Sequence, residues 1–150
     1  MNFEALHLEK TGARLHIWLN RPDVRNAMSL QMVSELRRVL TGAESTLSTP
    51  DAVRVVVLRG TGGHFCAGAD LKDMAAARMR AMQGEAGEPD PIAAVNAAFG
   101  ELCVAYARTP LAVVAVLEGT VMGGGLGLAC VADVAIASET ADFRLPETSL

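Results

Sequence analysis

Two stretches of this 150-residue chain are built to present bare backbone. The first, GTGGHFCAGAD at 60 to 70, follows an apolar run and precedes helix-compatible residues. The second, GTVMGGGLGLACVAD at 119 to 133, follows the apolar, β-branched run Leu111 to Leu117 and contains Gly123, Gly124 and Gly125 in succession. Glycine removes the side chain that would hold a ligand away from the main chain, and the first N–H groups of a helix have no partner inside it. Such a turn can stabilise negative charge. Other residues able to do chemistry are few: Glu147 directly after Pro146, Arg25 and Arg144 in polar stretches, and His7, His16 and His64, which lack metal-ligand spacing. There is no GxSxG elbow, and GGGLG departs from the GxGxxG nucleotide fingerprint at Leu128.

Elements of alternating type must position these turns. Residues 6 to 10 and 14 to 19 alternate apolar and polar side chains around Thr11-Gly12, the pattern of a β-hairpin. NRPDVRNAMS at 20 to 29 reads as a polar loop, and Ser29 can cap a helix whose apolar positions are Met32, Val33, Leu36, Val39 and Leu40. Val53 to Leu58 alternates too little to face water on either side, so it is expected to be a buried strand. After the first glycine turn, Leu71, Met74 and Ala75 mark a helix, and the shift to RMRAMQGEAGEPDP from Arg78 to Pro91 predicts a mobile loop. Ile92 to Ala107 reads as an amphipathic helix, Leu111 to Leu117 as a strand and Val134 to Ala137 as a short strand, while Asp142 to Leu150 opens a further unit. The order buried strand, glycine turn, helix therefore occurs twice. Helices alternating with buried strands imply an α/β fold with right-handed crossovers.

Composition narrows the functional classes. A chain that is 51% hydrophobic and 20% charged can bury a core as a single domain over residues 1–150. Its apolar runs fall short of the roughly 20 residues that cross a bilayer, and no signal or transit pattern opens it, so a cytoplasmic protein without a membrane partner is expected. Cys66, Cys103 and Cys130 are odd in number, lack CxxC spacing and sit in apolar surroundings, which predicts buried free thiols rather than disulfides or a zinc site. A net charge of -4 gives no footprint for nucleic acid.

Four ordered strings, NRPDVRNAMS at 20 to 29, HFCAGADLKDM at 64 to 74, GTVMGGGLGLACVADVAIA at 119 to 137 and FRLPETSL at 143 to 150, together resemble the crotonase superfamily of enoyl-CoA hydratases and isomerases. The resemblance covers essentially the whole chain. It implies a spiral of ββα units with two roughly perpendicular sheets, an acyl-CoA thioester as substrate with coenzyme A as its carrier, no separate cofactor or metal, and a homotrimer or homohexamer. Family members are commonly longer, so the chain is expected to stop ahead of the C-terminal helices that trimerise and help close the CoA site.

The resemblance also assigns roles. The N–H groups of Ala69 and Gly124 would form one oxyanion hole for the enolate of the thioester. The CoA body would lie along NRPDVRNA, with Arg25 on phosphate or ribose and the backbone around Ala27, Ala67 and Asp70 receiving pantetheine and adenine; Gly68, Gly123 and Gly127 complete the candidate substrate contacts. Hydratases of the family usually hold water between two glutamates. Here Glu147 stands at the second position and is the candidate base, whereas Gly127 stands at the first. A single glutamate suits a Δ3,Δ2-enoyl-CoA isomerase, yet MGGGLGLACVAD followed by LPETSL looks most like isohexenylglutaconyl-CoA hydratases, for which Gly127 would leave room for a substrate carboxylate, with Arg144 as its partner. Met74, Met79 and Met82 are candidates for the acyl pocket. A thioesterase-like hydrolase and a CoA-binding protein without turnover are the remaining alternatives.

Overall fold

The computed structural model describes residues 2–84 and 89–149, with only the backbone described at Glu147 and Ser149. Strands β1 (Leu6–Thr11) and β2 (Arg14–Leu19) form the expected antiparallel hairpin, closed at Gly12, whose φ of 58° is one that glycine adopts without strain. Helix α1 (Leu30–Glu44) begins where Ser29 Oγ accepts the Met32 N–H at 3.1 Å. Its buried Met32, Val33, Leu36, Val39 and Leu40 recur at helical spacing and face the sheet. Strand β3 (Val55–Gly60), helices α2 (Leu71–Gln83) and α3 (Pro91–Arg108), and strand β4 (Ala112–Leu117) follow.

Within the main sheet the order is β1-β2-β3-β4-β6, where β6 is Val134–Ala137. All pairings after the hairpin are parallel. One face carries Ile17, Leu19, Val56, Leu58, Val113 and Ala115, all fully or almost fully buried, and this face packs with α1 and α3 to make the core. The Tyr106 hydroxyl donates to Leu36 O at 3.1 Å and ties α3 to α1. Val55 and Val57 on the other face of β3 are only half-buried, and β6 is exposed throughout.

A second, two-stranded sheet pairs β5 (Thr120–Met122) with β7 (Asp142–Arg144) in parallel. Isolated bridges Cys66–Val121 and Met28–Ala69 carry this layer onward to the loop before α1. Helix α4 (Gly124–Cys130) starts directly after β5.

Three expectations need correction. Residues 78–83 belong to α2 rather than to a loop, because Ala77 packs inward and the helix continues to Gln83; residues 85–88 of the expected loop lie outside the described residues. The second glycine turn does not lead straight from strand to helix: the chain reverses at Gly119, runs through β5 and enters α4 only after Gly123. Of the three free thiols only Cys66 is buried; Cys103 is half-buried and Cys130 exposed, since α4 ends at the surface. Among the described residues no helix is long and apolar enough to cross a membrane.

Candidate active site

The site begins in the loop between β2 and α1. Arg25 and Asn26 both adopt left-handed backbone, with φ of 49° and 57°, a region asparagine tolerates better than most residues. The wholly buried Asn26 side chain accepts the Arg21 N–H at 2.8 Å and donates to Thr61 O at 2.9 Å and His64 O at 2.8 Å. One amide thereby locks the loop against the first glycine turn. His64 Nδ1 accepts the Thr120 N–H at 3.1 Å, which gives this histidine a structural task.

Residues 65–70 are threaded between two backbones. On one edge Ala67 N donates to Arg25 O at 3.0 Å, Met28 N to Gly68 O at 2.7 Å and Asp70 N to Met28 O at 3.1 Å. Cys66 N donates to Thr120 O and Met122 N to Cys66 O on the other edge, both at 3.0 Å. Because Met28 bonds the residues on either side of Ala69, the Ala69 N–H points away from it. Among the described residues that N–H meets no backbone acceptor.

Gly123, at φ 49° and ψ -118°, turns the chain into α4 and leaves Gly124 as the first helical residue, its N–H likewise without an acceptor among the described residues. Close packing joins the two turns. A Cβ on Gly68, whose φ is 92°, would meet Met122 O at 3.1 Å and Gly123 Cα at 3.7 Å, and one on Gly125 would meet Cys66 O at 2.6 Å. Burial pushes the Cys66 thiol up to about 11.

Ala69 and Gly124 line one cavity of about 370 Å³, whose other walls include Met28, Leu30, Val33, Met74, Val95, Phe99 and Leu145. A second cavity of about 610 Å³ is lined by Arg21, Ala27, Ala67, Gly68, Leu71, Lys72 and Met122. Ala69, Asp70 and Gly123 belong to both. The result is one apolar chamber that carries both backbone N–H groups in its wall and one larger groove that meets it at Ala69, Asp70 and Gly123. A carbonyl oxygen held at that junction could place an apolar arm in the chamber and a long polar arm in the groove.

The Asp70 carboxylate is buried in the wall between them. It caps α2 by accepting from Lys72 N at 2.8 Å and Asp73 N at 3.2 Å, and Arg21 Nη1 lies 2.7 Å from its other oxygen. Burial alone would raise its pKa, but the Arg21 hydrogen bond, the two backbone N–H groups and the guanidinium charge together hold it below the ordinary carboxylate value. Asp73 of the same turn accepts the Leu30 N–H at 2.7 Å, so α2 is fastened to α1 as well.

The expected residues do not all converge. Ala69, Gly124, Ala27, Ala67, Gly68, Asp70 and Gly123 line one or both cavities, as does Met74, whereas Met79 and Met82 are exposed and line neither. Arg25 is exposed and contributes its carbonyl; the cations at the groove are Arg21 and Lys72, which spacing alone did not distinguish from solvated residues. Arg144 is exposed and ion-paired with Asp142 at 2.7 Å. Gly127 lines neither cavity, and a Cβ built on it would lie 3.4 Å from the ring of Phe99, in van der Waals contact. Phe99 was missed, although a chain with 4% aromatic residues makes each aromatic conspicuous. The Glu147 backbone lies in a 3-10 turn (Pro146–Ser149) between Pro146, on the groove, and Thr148, on the chamber; its side chain is outside the described part of the structure.

Comparison with known proteins bears on this arrangement. The family model for enoyl-CoA hydratase/isomerase matches residues 9–150. The chain is similar to the crystal structure of an enoyl-CoA hydratase/isomerase from Marinobacter aquaeolei, with 52% identity and a TM-score of 0.86 over 97% of this chain and 53% of that one. AtuE of Pseudomonas aeruginosa shares 51% identity at a TM-score of 0.85, over 97% of this chain and 52% of that one. The mevalonyl-coenzyme A hydratase sidH of Aspergillus fumigatus is 34% identical over 133 residues, which are 89% of this chain and 44% of that protein. The chain thus spans about half the length of these relatives. The crotonase-like α/β fold and the match over residues 9–150 agree: the chain belongs to the enoyl-CoA hydratase/isomerase family, within the crotonase superfamily.

Proposed function

We propose that residues 1–150 form the CoA-binding and oxyanion-stabilising domain of an enoyl-CoA hydratase, a lyase that adds water across the 2,3 double bond of an acyl-CoA thioester. The observation that carries this reading is the sharing of one cavity wall by Ala69 and Gly124, whose N–H groups are free of backbone acceptors among the described residues. Two such donors aimed at the thioester oxygen stabilise the enolate that forms when hydroxide adds at Cβ, and loss of one donor of this type costs about 2.7 to 4 kcal/mol. Arg21 and Lys72 at the groove suit the phosphates of coenzyme A, which enters as part of the substrate; no separate cofactor is needed. Glu147 is the base that activates water. The whole protein works as a homotrimer or homohexamer.

The chamber wall favours an apolar, branched acyl chain over a small polar one. A glutaconyl-type carboxylate is the finer alternative: at Gly127 it would lie against the Phe99 ring, and Arg144, exposed and paired with Asp142, would exchange partners to receive it. Gly127 also favours a second reading: with one carboxylate at the reacting atoms, a Δ3,Δ2-enoyl-CoA isomerase would use Glu147 to carry a proton from C2 to C4.

The test is turnover of crotonyl, branched 2-enoyl, 3-enoyl and glutaconyl-type CoA thioesters by wild type and Glu147→Gln. Hydration of the 2-enoyl compounds, lost in the variant while CoA binding persists, is expected. Migration of the double bond without hydration selects the isomerase. Full activity of Glu147→Gln overturns both.

A further inference from the structure

We propose that Phe99 is a specificity-determining residue: the aromatic wall of the acyl subsite, paired in size with Gly127 so that the acyl chain meets a ring where a side chain at position 127 would otherwise enter. The inference rests on reading the cavity of about 370 Å³ as the acyl subsite. Gly124 and Gly127 stand three residues apart in α4 and so present one side of the helix. The ring of Phe99, projecting from α3, covers both. A Cβ built on Gly124 would meet Cζ at 3.4 Å and Cε2 at 3.6 Å; one built on Gly127 would meet Cε1 and Cζ, each at 3.4 Å.

A single carbon at 127 would touch the ring at van der Waals distance, and a longer side chain directed toward the chamber would compete with the ring for that space. Glycine at 127 leaves this side of α4 open to the aromatic ring, and phenylalanine at 99 packs against it. Phe99 also lines the chamber, beside Met28, Val33, Met74 and Val95. Apolar substituents close to the reacting carbons gain contact with its ring, and water on that side has no polar group from position 127 to hold it.

The experiment compares wild type, Phe99→Leu, Phe99→Ala, Gly127→Glu and the double variant Phe99→Ala/Gly127→Glu. It reads kcat/KM for crotonyl-CoA and for a branched, longer 2-enoyl-CoA, with the affinity for each thioester and for free CoA measured by calorimetry. One methylene in an apolar pocket changes discrimination by roughly 10-fold or more, so both Phe99 variants are expected to shift the branched-to-crotonyl ratio at least about tenfold while free CoA binds as before. Gly127→Glu alone is expected to lose affinity for both thioesters, and Phe99→Ala is expected to restore it in the double variant. A ratio that stays constant in Phe99→Leu and Phe99→Ala, or equal losses for Gly127→Glu with and without Phe99→Ala, overturns the proposal with the functional reading intact. If no thioester turns over, the affinity ratios decide in the same way; if wild type binds acyl-CoA no better than CoA, both readings fall.

Discussion

Arg21 and Asp70 meet at 2.7 Å in the wall shared by the two cavities, and the same guanidinium nitrogen donates to Ala27 O at 2.6 Å. One side chain therefore joins the start of the β2–α1 loop, its far end and the cap of α2, with Ala69 immediately before Asp70. The pair holds the junction of chamber and groove in place. An arginine that only bound ligand would leave the free protein indifferent to its removal.

Asp70→Asn and Arg21→Met are accordingly expected to destabilise the protein by about 1–3 kcal/mol, the cost of leaving a buried hydrogen-bonding partner unsatisfied. Because the folded pKa of Asp70 is depressed, its contribution is complete above the unfolded value, near 3.9, and is lost as pH falls through the folded one. Denaturant unfolding of wild type and Asp70→Asn across that range checks this. The stability gap is expected to be full at neutral pH and to close in acid; a gap independent of pH would remove the ion pair from the explanation.

Two glycine-to-alanine changes should have opposite signs. At Gly125 the new carbon meets Cys66 O at 2.6 Å and Cys66 Cβ at 2.7 Å, and backbone cannot swing aside. A loss of about 1–3 kcal/mol is expected there, with loss of activity as Gly124 is displaced. At Gly100, inside α3, nothing lies within 4 Å, so Gly100→Ala is expected to stabilise by about 0.5–1 kcal/mol through helix propensity. Thermal unfolding of the two variants reads both signs.

The cysteines should separate by reactivity. Cys66 is buried with its thiol pushed up to about 11, and burial raises Cys103 as well, whereas Cys130 is exposed. In mildly alkaline buffer a thiol reagent is expected to label Cys130 first and Cys66 only on unfolding, as peptide mapping would show. Labelling of Cys66 in the native state would mean that the Cys66–Val121 bridge opens far more readily than its packing against Gly125 implies.

The periodic elements were legible because burial on one face writes itself into the sequence. The hairpin, the Ser29 cap and the strand Val134–Ala137 follow directly from alternation, capping chemistry and β-branched runs. Strands β5 and β7, three residues each, carry too little pattern to be read, and their pairing is set by the partner strand rather than by local preference. The glycine turns marked two places of bare backbone and the family resemblance picked out Ala69 and Gly124 within them, but that the two line one cavity depends on tertiary contacts such as Gly68 against Gly123. Arg21 and Arg25 lie four residues apart in one loop, and only the fold shows which of them turns to the groove. Phe99 was hidden for a similar reason: its significance lies in what faces it, 28 residues later at Gly127.

The most direct measurement is a crystal structure of the protein with an unreactive acyl-CoA. The thioester oxygen is expected within about 2.7–3.1 Å of both Ala69 N and Gly124 N, with the acyl chain in the chamber and the pantetheine arm in the groove past Ala27 and Gly68. A thioester oxygen that meets only one of these nitrogens, or neither, would contradict a shared oxyanion hole.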